Sequence, residues 1–272
     1  LEENLPYWGR LTGLAKVLKE KEVEDVVISM KEADQQAMQK LITDLHISGL
    51  RIRIHPNMYD IVSGTVRFSN LFETPLIEVH AVKMPDWQQT TKRLFDVLVS
   101  ASMLILLAPL FLIVALLISL DSRGGVFYSH ERIGLHGKPF QIFKFRSMVA
   151  HAEAKGPALS KDGDQRITRI GRWMRKYRVD ELPQFYNVLI GDMSLVGPRP
   201  ERRYFIDQIV EHAPQYVLLH RVRPGITSWG QVKYGYAENV SEMVDRLTFD
   251  LLYLQNVNLL LDIKILAYTV IT

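Results

Sequence analysis

The sequence V-L-V-S-A-S-M-L-I-L-L-A-P-L-F-L-I-V-A-L-L-I-S-L, at residues 97–120, decides how the rest of the chain can fold. It carries no charge over twenty-four positions, a length at which one helix can span a bilayer. Pro109 lies at its middle, where a proline removes an intrahelical hydrogen bond and bends the helix. A straight spanning helix is the physical default. A helix that enters, turns at Pro109 and leaves on the same face is the alternative.

Basic residues flank both ends of this apolar run. Lys92 and Arg93 precede it, and Arg123 and Arg132 follow it. Because positive charge favours the cytoplasmic side of a membrane, both flanks prefer the same side. Both flanking parts of the chain can share that side if the segment enters, turns at Pro109 and leaves on the same face.

Composition limits the remaining functional classes. The 272 residues carry a net charge of +3, too weak to indicate nucleic acid but suited to anionic lipid and nucleotide phosphates. The absence of cysteine excludes disulfides and thiolate chemistry and agrees with a reducing compartment. The sequence has no G-x-G-x-x-G, P-loop or G-x-S-x-G motif, and its histidines show no zinc-type spacing.

A second stretch, R-V-D-E-L-P-Q at residues 178–184, carries the candidate chemistry. Asp180 and Glu181 directly follow a basic run at residues 166–178, and Arg199 stands further on between Pro198 and Pro200. A carboxylate can hold a divalent metal or attack phosphorus, and arginine binds phosphoryl oxygens through paired hydrogen bonds. The pattern predicts a site that handles phosphate. A helix end with ordinary surface ion pairs is the alternative.

The string D-Q-R-I-T-R-I-G-R-W-M-R-K-Y-R-V-D-E-L-P-Q-F-Y-N-V-L-I-G-D-M-S-L-V-G-P-R-P, at residues 164–200, closely resembles the bacterial sugar transferases. These are the monotopic phosphoglycosyl transferases that start lipid-linked glycan assembly. The resemblance extends to K-F-R-S-M at 144–148 and R-P-G-I-T at 223–227 and covers roughly the last two thirds of the chain. It implies an α+β membrane-associated catalytic domain with a re-entrant helix at about residues 94–121, broken at Pro109.

The resemblance also implies a reaction and a set of site residues. A UDP-sugar and a membrane polyprenyl (undecaprenyl) phosphate would react through an aspartyl phosphosugar and release UMP, as the first step of exopolysaccharide, capsule or O-antigen assembly. Asp180 would be the nucleophile, and Asp180 and Glu181 would hold Mg²⁺. The cations that would hold phosphates are Lys144, Arg146, Arg175 (in preference to Arg172) and Arg199. Asp250 and Asp262 match recurring family positions and are expected to be structural.

The same resemblance implies a location and partners. We expect the cytoplasmic face of the bacterial inner membrane, contact with membrane lipid, a homodimer and no nucleic acid. Two other functions are alternatives: a catalytically silent membrane scaffold that recruits glycan-assembly enzymes, and a polytopic transferase with a spanning helix and no covalent step.

The domain prediction has three parts: a partial Rossmann-like α/β domain at 1–85, a linker at 86–93 and the transferase domain at 94–272. In the first, strands at 24–30 and 50–55 alternate with helices at 9–21 and 33–47, which predicts a parallel sheet. We expect this domain to serve packing or dimerisation. Because the chain begins at Leu1 and this unit looks incomplete at its start, we expect a longer protein.

The transferase part is predicted as one strand, a series of helices and a loop. The strand is at 140–148, the loop at 156–163, and the helices are at 151–155, 167–177, 182–190, 240–254 and 259–271. Residues 204–219 are amphipathic and rich in aromatic side chains, so packing in the core and resting in the membrane interface are equally good interpretations.

Overall fold

The computed structural model describes residues 14–21, 23–28, 41–42, 45, 50–54, 77–79, 84–150, 152, 156, 163–235 and 237–271. The chain divides into two compact units, Leu1–Ala81 and Val82–Thr272. The predicted helices at 33–47 and 151–155 and the predicted loop at 156–163 lie largely outside the described residues.

The first unit contains a small mixed sheet. Its described elements are α1 (Leu14–Glu20), β1 (Asp25–Ile28), β2 (Arg51–Ile54) and β3 (Ile77–Val79). Strand β2 pairs in parallel with β1, as the alternation of strands and helices predicts. Strand β3 pairs with the other edge of β2 in antiparallel orientation. The buried side chains of Ile28, Leu45 and Ile52 form its core. A Rossmann-like fold for this unit stays a prediction.

The second unit is built from helices packed around two small two-stranded sheets. Its elements are α2 (Asp86–Leu106), α3 (Ala108–Asp121), β4 (Phe127–Ile133), β5 (Pro139–Phe145), α4 (Arg169–Lys176), α5 (Gln184–Ile190), β6 (Ser194–Val196), α6 (Arg203–His212), β7 (Gly225–Thr227), α7 (Trp229–Lys233), α8 (Val240–Gln255) and α9 (Leu259–Ile271). Strands β4 and β5 form an antiparallel hairpin. Strands β6 and β7 pair in parallel.

The apolar run forms a bent helix pair. Helices α2 and α3 meet at Leu107 with a bend of 59°. Pro109 is the second residue of α3, so its missing N–H falls among first-turn donors that have no intrahelical partner in any case. Among the described residues no single helix is both long and apolar enough to cross a membrane, although α2 and α3 together meet that test by length and composition.

The start of α2 corrects the predicted linker at 86–93, because these residues are helical. Lys92 makes a salt bridge to Asp262 and donates to the carbonyl oxygen of Val196. The Arg93 guanidinium donates to the carbonyls of Val188 and Leu189 at 2.6 and 3.0 Å. Contacts made about a hundred residues further along the chain therefore order a segment whose polar composition looks like a linker.

The far end of the pair is bonded to the same unit. The Asp121 carboxylate accepts from the backbone N–H of Ile170 at 3.1 Å, and the carbonyls of Ser122 and Arg123, directly after the pair, accept from Arg146. Around the bend, large apolar side chains are exposed: Ile105 is 77% and Leu112 is 74% exposed. The pair thus has two anchored ends and exposed apolar side chains around its bend.

Residues 204–219 pack in the core. Phe205, Ile206 and Ile209 of α6 and Tyr216 and Leu219 of the following 3₁₀ stretch are buried in one cluster. This result favours the core interpretation over the membrane interface for these residues.

Candidate active site

The dyad lies in a tight turn between two short helices. Helix α4 is capped by Thr168, whose hydroxyl accepts from the N–H of Gly171 at 3.0 Å. Arg178 then adopts a left-handed conformation with φ of 55°, which is uncommon for a residue with a side chain. A 3₁₀ turn at Val179–Glu181 follows directly. Both acidic side chains of that turn are buried, Asp180 at 7% and Glu181 at 6% exposure.

Glu181 is held by two cations. Its Oε1 accepts from Lys144 Nζ at 2.6 Å and from Arg199 Nη2 at 3.0 Å. Burial alone would raise the pKa of Glu181, but the charges of Lys144 and Arg199 outweigh burial and hold that pKa well below its usual range. Glu181 is therefore a fixed anion.

Asp180 has the opposite electrostatic environment. Burial raises the pKa of Asp180, the adjacent Glu181 charge raises it further, and Lys144 and Arg175 oppose both effects. Neighbouring carboxylates whose pKa values are pushed apart have different chemical roles. Asp180 carries the more basic oxygens, which suits a nucleophile, and Glu181 organises the cations.

Arg199 lies in a braced loop. The N–H of Gly225 donates to the carbonyl of Pro198 at 3.0 Å, and Arg132 Nη1 donates to the carbonyl of Pro200 at 2.9 Å. At Gly197 an added Cβ would lie 2.3 Å from the carbonyl oxygen of Arg223, so only glycine allows this approach. The guanidinium of Arg199 is thereby pre-positioned beside Glu181.

The other two predicted phosphate ligands have different surroundings. Arg175 Nε donates to the Ser147 hydroxyl at 2.9 Å, and Arg175 lines the same cleft as the dyad. Arg146 also lines the cleft, but both of its terminal nitrogens donate to the carbonyls of Ser122 and Arg123. The structure thus brings Lys144, Arg175 and Arg199 to the dyad and engages Arg146 at the end of α3.

The dyad opens into a cleft with a volume of about 1240 Å³. One face of the β4–β5 hairpin supplies part of its wall. Among the residues that the structure describes, nine basic and five acidic side chains line the cleft, a balance that favours an anionic ligand. The basic ones are Arg132, Lys144, Arg146, Arg172, Arg175, Lys176, Arg199, Arg202 and Arg246, and the acidic ones are Asp164, Asp180, Glu181, Glu201 and Glu238.

Sequence reasoning missed a buried ionic network in the wall of the cleft. Glu201 binds Arg132 at 2.7 Å and Arg246 at 2.9 Å. Arg246 also lies 3.9 Å from Asp250, whose pKa burial raises to about 6. The only sequence signal was the i,i+4 spacing of Arg246 and Asp250 and the place of Glu201 directly after Pro200. This network supports the loop that carries Arg199.

The contacts of the two aspartates expected to be structural are consistent with that role. Asp250 accepts from the N–H of Gly230 at 3.0 Å. Asp262 accepts from Tyr253 at 2.8 Å and pairs with Lys92. Both aspartates hold helices together and neither lines the cleft.

The carboxylates of the dyad are oxygen donors, the type of ligand that Mg²⁺ prefers. In the part of the chain that the structure describes, no group of three or more His, Cys, Asp or Glu side chains could hold a metal ion. The donor set therefore fits an ion that takes one or two carboxylates and completes its shell with phosphate and water, as Mg²⁺ does.

Comparison with known proteins defines the family. The model of the bacterial sugar transferase family matches residues 87–272, so the chain belongs to that family. It is 45% identical over 181 residues to the UDP-N-acetylgalactosamine-undecaprenyl-phosphate N-acetylgalactosaminephosphotransferase of Aeromonas hydrophila, covering 66% of this chain and 43% of that protein. It is 31% identical over 264 residues to the UDP-glucose:undecaprenyl-phosphate glucose-1-phosphate transferase of Escherichia coli (strain K12), covering 96% of this chain and 57% of that protein. The chain thus spans about half the length of these curated relatives.

Proposed function

We propose that the protein transfers a sugar 1-phosphate from a UDP-sugar to undecaprenyl phosphate and releases UMP. The observation that carries this proposal is the buried Asp180–Glu181 dyad, bound to Lys144 and Arg199 at the wall of a cationic cleft. Relatives whose printed names describe that reaction support the substrate class. Assaying a panel of UDP-sugars would identify the sugar that is transferred.

The proposed chemistry has two displacements at one phosphorus atom. An Asp180 oxygen attacks the phosphorus that bears the sugar, the Asp–O–P bond forms, and the P–O bond to UMP breaks. An oxygen of the lipid phosphate then attacks the same phosphorus, and the Asp–O–P bond breaks to regenerate the carboxylate. A covalent route lets a soluble and a membrane-bound substrate bind in turn. The raised pKa of Asp180 supports its assignment as nucleophile, because a more basic oxygen is the better one.

The cations of the cleft would bind the phosphates. Lys144 and Arg199 are already desolvated against Glu181, with side chains 16% and 13% exposed. Charge-assisted hydrogen bonds to phosphate at such sites orient the diphosphate and stabilise the charge that develops in transfer. Arg175 lines the same cleft, and its charge opposes the rise in the pKa of Asp180, so it would bind phosphate as well.

Asp180 and Glu181 would hold Mg²⁺ together with the diphosphate. The ion would neutralise charge on the leaving phosphate. Glu181→Gln tests this role, because it removes the charge and keeps the size of the side chain. Its activity should need more Mg²⁺ than wild type or be lost; an unchanged metal dependence would remove Glu181 from the metal site.

For the apolar helix pair we propose a re-entrant arrangement. Lys92 and Arg93 at one end and Asp121 at the other are bonded to the same compact unit, which supports placing both ends on one side of a membrane. The exposed side chains around the 59° bend would enter the lipid. The dyad would then lie near the headgroup plane, where the phosphate of undecaprenyl phosphate lies.

The proposed location is the cytoplasmic face of the bacterial inner membrane, where UDP-sugars are available. There the protein, as a homodimer, would start the assembly of an exopolysaccharide, capsule or O-antigen. The relatives include the exopolysaccharide production protein PSS of Rhizobium leguminosarum bv. phaseoli, 40% identical over 187 residues, which supports this class of pathway.

The test is UMP release from a panel of UDP-sugars by protein in lipid nanodiscs that contain undecaprenyl phosphate. We expect one or a few sugars to give UMP and a lipid-linked product, and we expect none from Asp180→Asn. Release of UMP by Asp180→Asn at the wild-type rate would refute the role of the dyad. No release with any sugar would favour the silent scaffold.

A further inference from the structure

The residues that directly follow helix α3 are held by Arg146, the residue that directly follows strand β5. Arg146 Nη1 donates to the carbonyl of Arg123 at 3.0 Å, and Nη2 donates to the carbonyl and hydroxyl of Ser122 at 2.7 and 3.0 Å. Carbonyls at a helix C-terminus lack intrahelical partners and carry partial negative charge. A buried guanidinium, 9% exposed at Arg146, satisfies both the geometry and the charge of this terminus.

Gly124 makes room for this contact. Its φ is +127°, and an added Cβ would lie 2.1 Å from Arg146 Nη1. The neighbouring Gly125 differs, because its Cβ would have its nearest atom, the carbonyl oxygen of Phe127, at 3.6 Å. The two glycines therefore offer a matched pair of sites for substitution. Only at Gly124 would an added side chain meet the guanidinium of Arg146.

The same strand carries the site. Lys144 binds Glu181 of the dyad at 2.6 Å. The next residue, Phe145, packs edge-on against Phe111 of α3 with ring centroids 5.1 Å apart. Arg146 follows directly, so three consecutive residues contact the dyad, the body of α3 and the end of α3.

We propose that Arg146 is a positioning residue that fixes the end of the apolar helix pair to the strand that carries Lys144, in place of the phosphate-binding role that its sequence position suggests. The proposal rests on the proposed function. A helix pair seated in lipid fixes how far above the membrane the residues rigidly bound to it lie. The contact of Arg146 therefore sets the distance between the dyad and the lipid phosphate. A shift of about 1 Å in a reacting group can cost on the order of a hundredfold in rate.

Four variants in nanodiscs of phosphatidylethanolamine and phosphatidylglycerol test the proposal: Gly124→Ala, Arg146→Ala, Arg146→Lys and the control Gly125→Ala. The first readout is hydrogen–deuterium exchange at residues 118–124, which needs no turnover. Losing the charge-assisted bonds should speed exchange there by about tenfold or more in Gly124→Ala and Arg146→Ala. Arg146→Lys should restore part of the protection, and Gly125→Ala should match wild type. Unchanged exchange in α8 shows that the variants fold.

The second readout separates positioning from phosphate binding. In Gly124→Ala and Arg146→Ala, kcat should fall about 10- to 100-fold with KM for the UDP-sugar within about twofold of wild type. A KM raised about tenfold or more in Arg146→Ala, with kcat and exchange unchanged, would assign Arg146 to phosphate and overturn the proposal. Wild-type exchange in Gly124→Ala would overturn it as well. A wild-type protein that is inactive with every UDP-sugar would refute the proposed function. The exchange measurements would still test whether Arg146 holds the end of α3, because they need no turnover.

Discussion

Replacing Arg199 with alanine tests whether the cleft has defined phosphate ligands or a general basic surface. Arg199 is 13% exposed in its side chain and lies 3.0 Å from Glu181, in the loop braced by Arg132. Arg172 lines the same cleft but is exposed at the surface of α4. The two arginines carry the same charge, so their comparison isolates burial and orientation.

The losses of kcat/KM expected for the two variants differ and do not overlap. Loss of a charge-assisted hydrogen bond costs about 1.5–3 kcal/mol, which corresponds to a fall in kcat/KM of about 10- to 150-fold for Arg199→Ala. An exposed charge contributes about 0.2–1 kcal/mol, so Arg172→Ala should lose at most about fivefold. Salt should reduce the Arg172 effect, because exposed charges are screened, and should leave most of the Arg199 effect.

The assay is initial-rate UMP release at two ionic strengths, with Arg199→Lys as a control. Lysine keeps the charge but lacks the planar guanidinium that binds phosphate through two hydrogen bonds. The kcat/KM of Arg199→Lys should therefore lie between those of wild type and Arg199→Ala. Equal losses from Arg199→Ala and Arg172→Ala at both ionic strengths would refute the reasoning, because they would show a diffuse basic patch.

Three further predictions concern topology and stability. Single cysteines replacing the exposed Thr90 and Gly125 should both react with an impermeant thiol reagent from the same side of sealed vesicles; labelling from opposite sides would establish a spanning helix. Lys92→Met should lower the free energy of unfolding by about 3 kcal/mol, because it leaves Asp262 buried and uncompensated, and adding Asp262→Asn should recover part of this loss in thermal unfolding. Asp250, whose pKa burial raises to about 6, binds its proton more tightly in the folded chain than in the unfolded one. Wild type should therefore lose stability relative to Asp250→Asn as pH rises from about 4 to about 6, and parallel pH–stability curves would contradict this.

Local patterns were sufficient for the features that depend on local chemistry. Pro109 predicted a break, and the structure has one two residues earlier, at Leu107. Gly191 predicted the end of α5, and its φ of 102° places it in the left-handed region that glycine adopts readily. The pairing of β1 with β2 followed from alternating strands and helices.

Features that depend on distant contacts were not predictable from the sequence. The alternation of the predicted strand at 140–148 puts Lys144 and Arg146 on one face, but it does not reveal that Arg146 bonds to Arg123, 23 residues earlier and just after α3. The local polarity of residues 86–93 predicts a linker, whereas their helix depends on distant partners such as Asp262. The place of Glu201 after Pro200 did not reveal its ion pair, because its partner Arg246 is 45 residues away.

Covalent chemistry at Asp180 is the central claim, and the mass of one peptide tests it most directly. Wild-type protein incubated with Mg²⁺ and its UDP-sugar, without undecaprenyl phosphate, should accumulate the aspartyl phosphosugar after rapid quenching. The peptide that contains Asp180 should gain the mass of one sugar phosphate, which undecaprenyl phosphate then removes. Asp180→Asn should show no gain, and Glu181→Gln should show the gain on Asp180 if it shows one at all. A fully active wild type with no adduct at any quench time, or with the adduct on Glu181, would contradict the assignment of Asp180 as nucleophile.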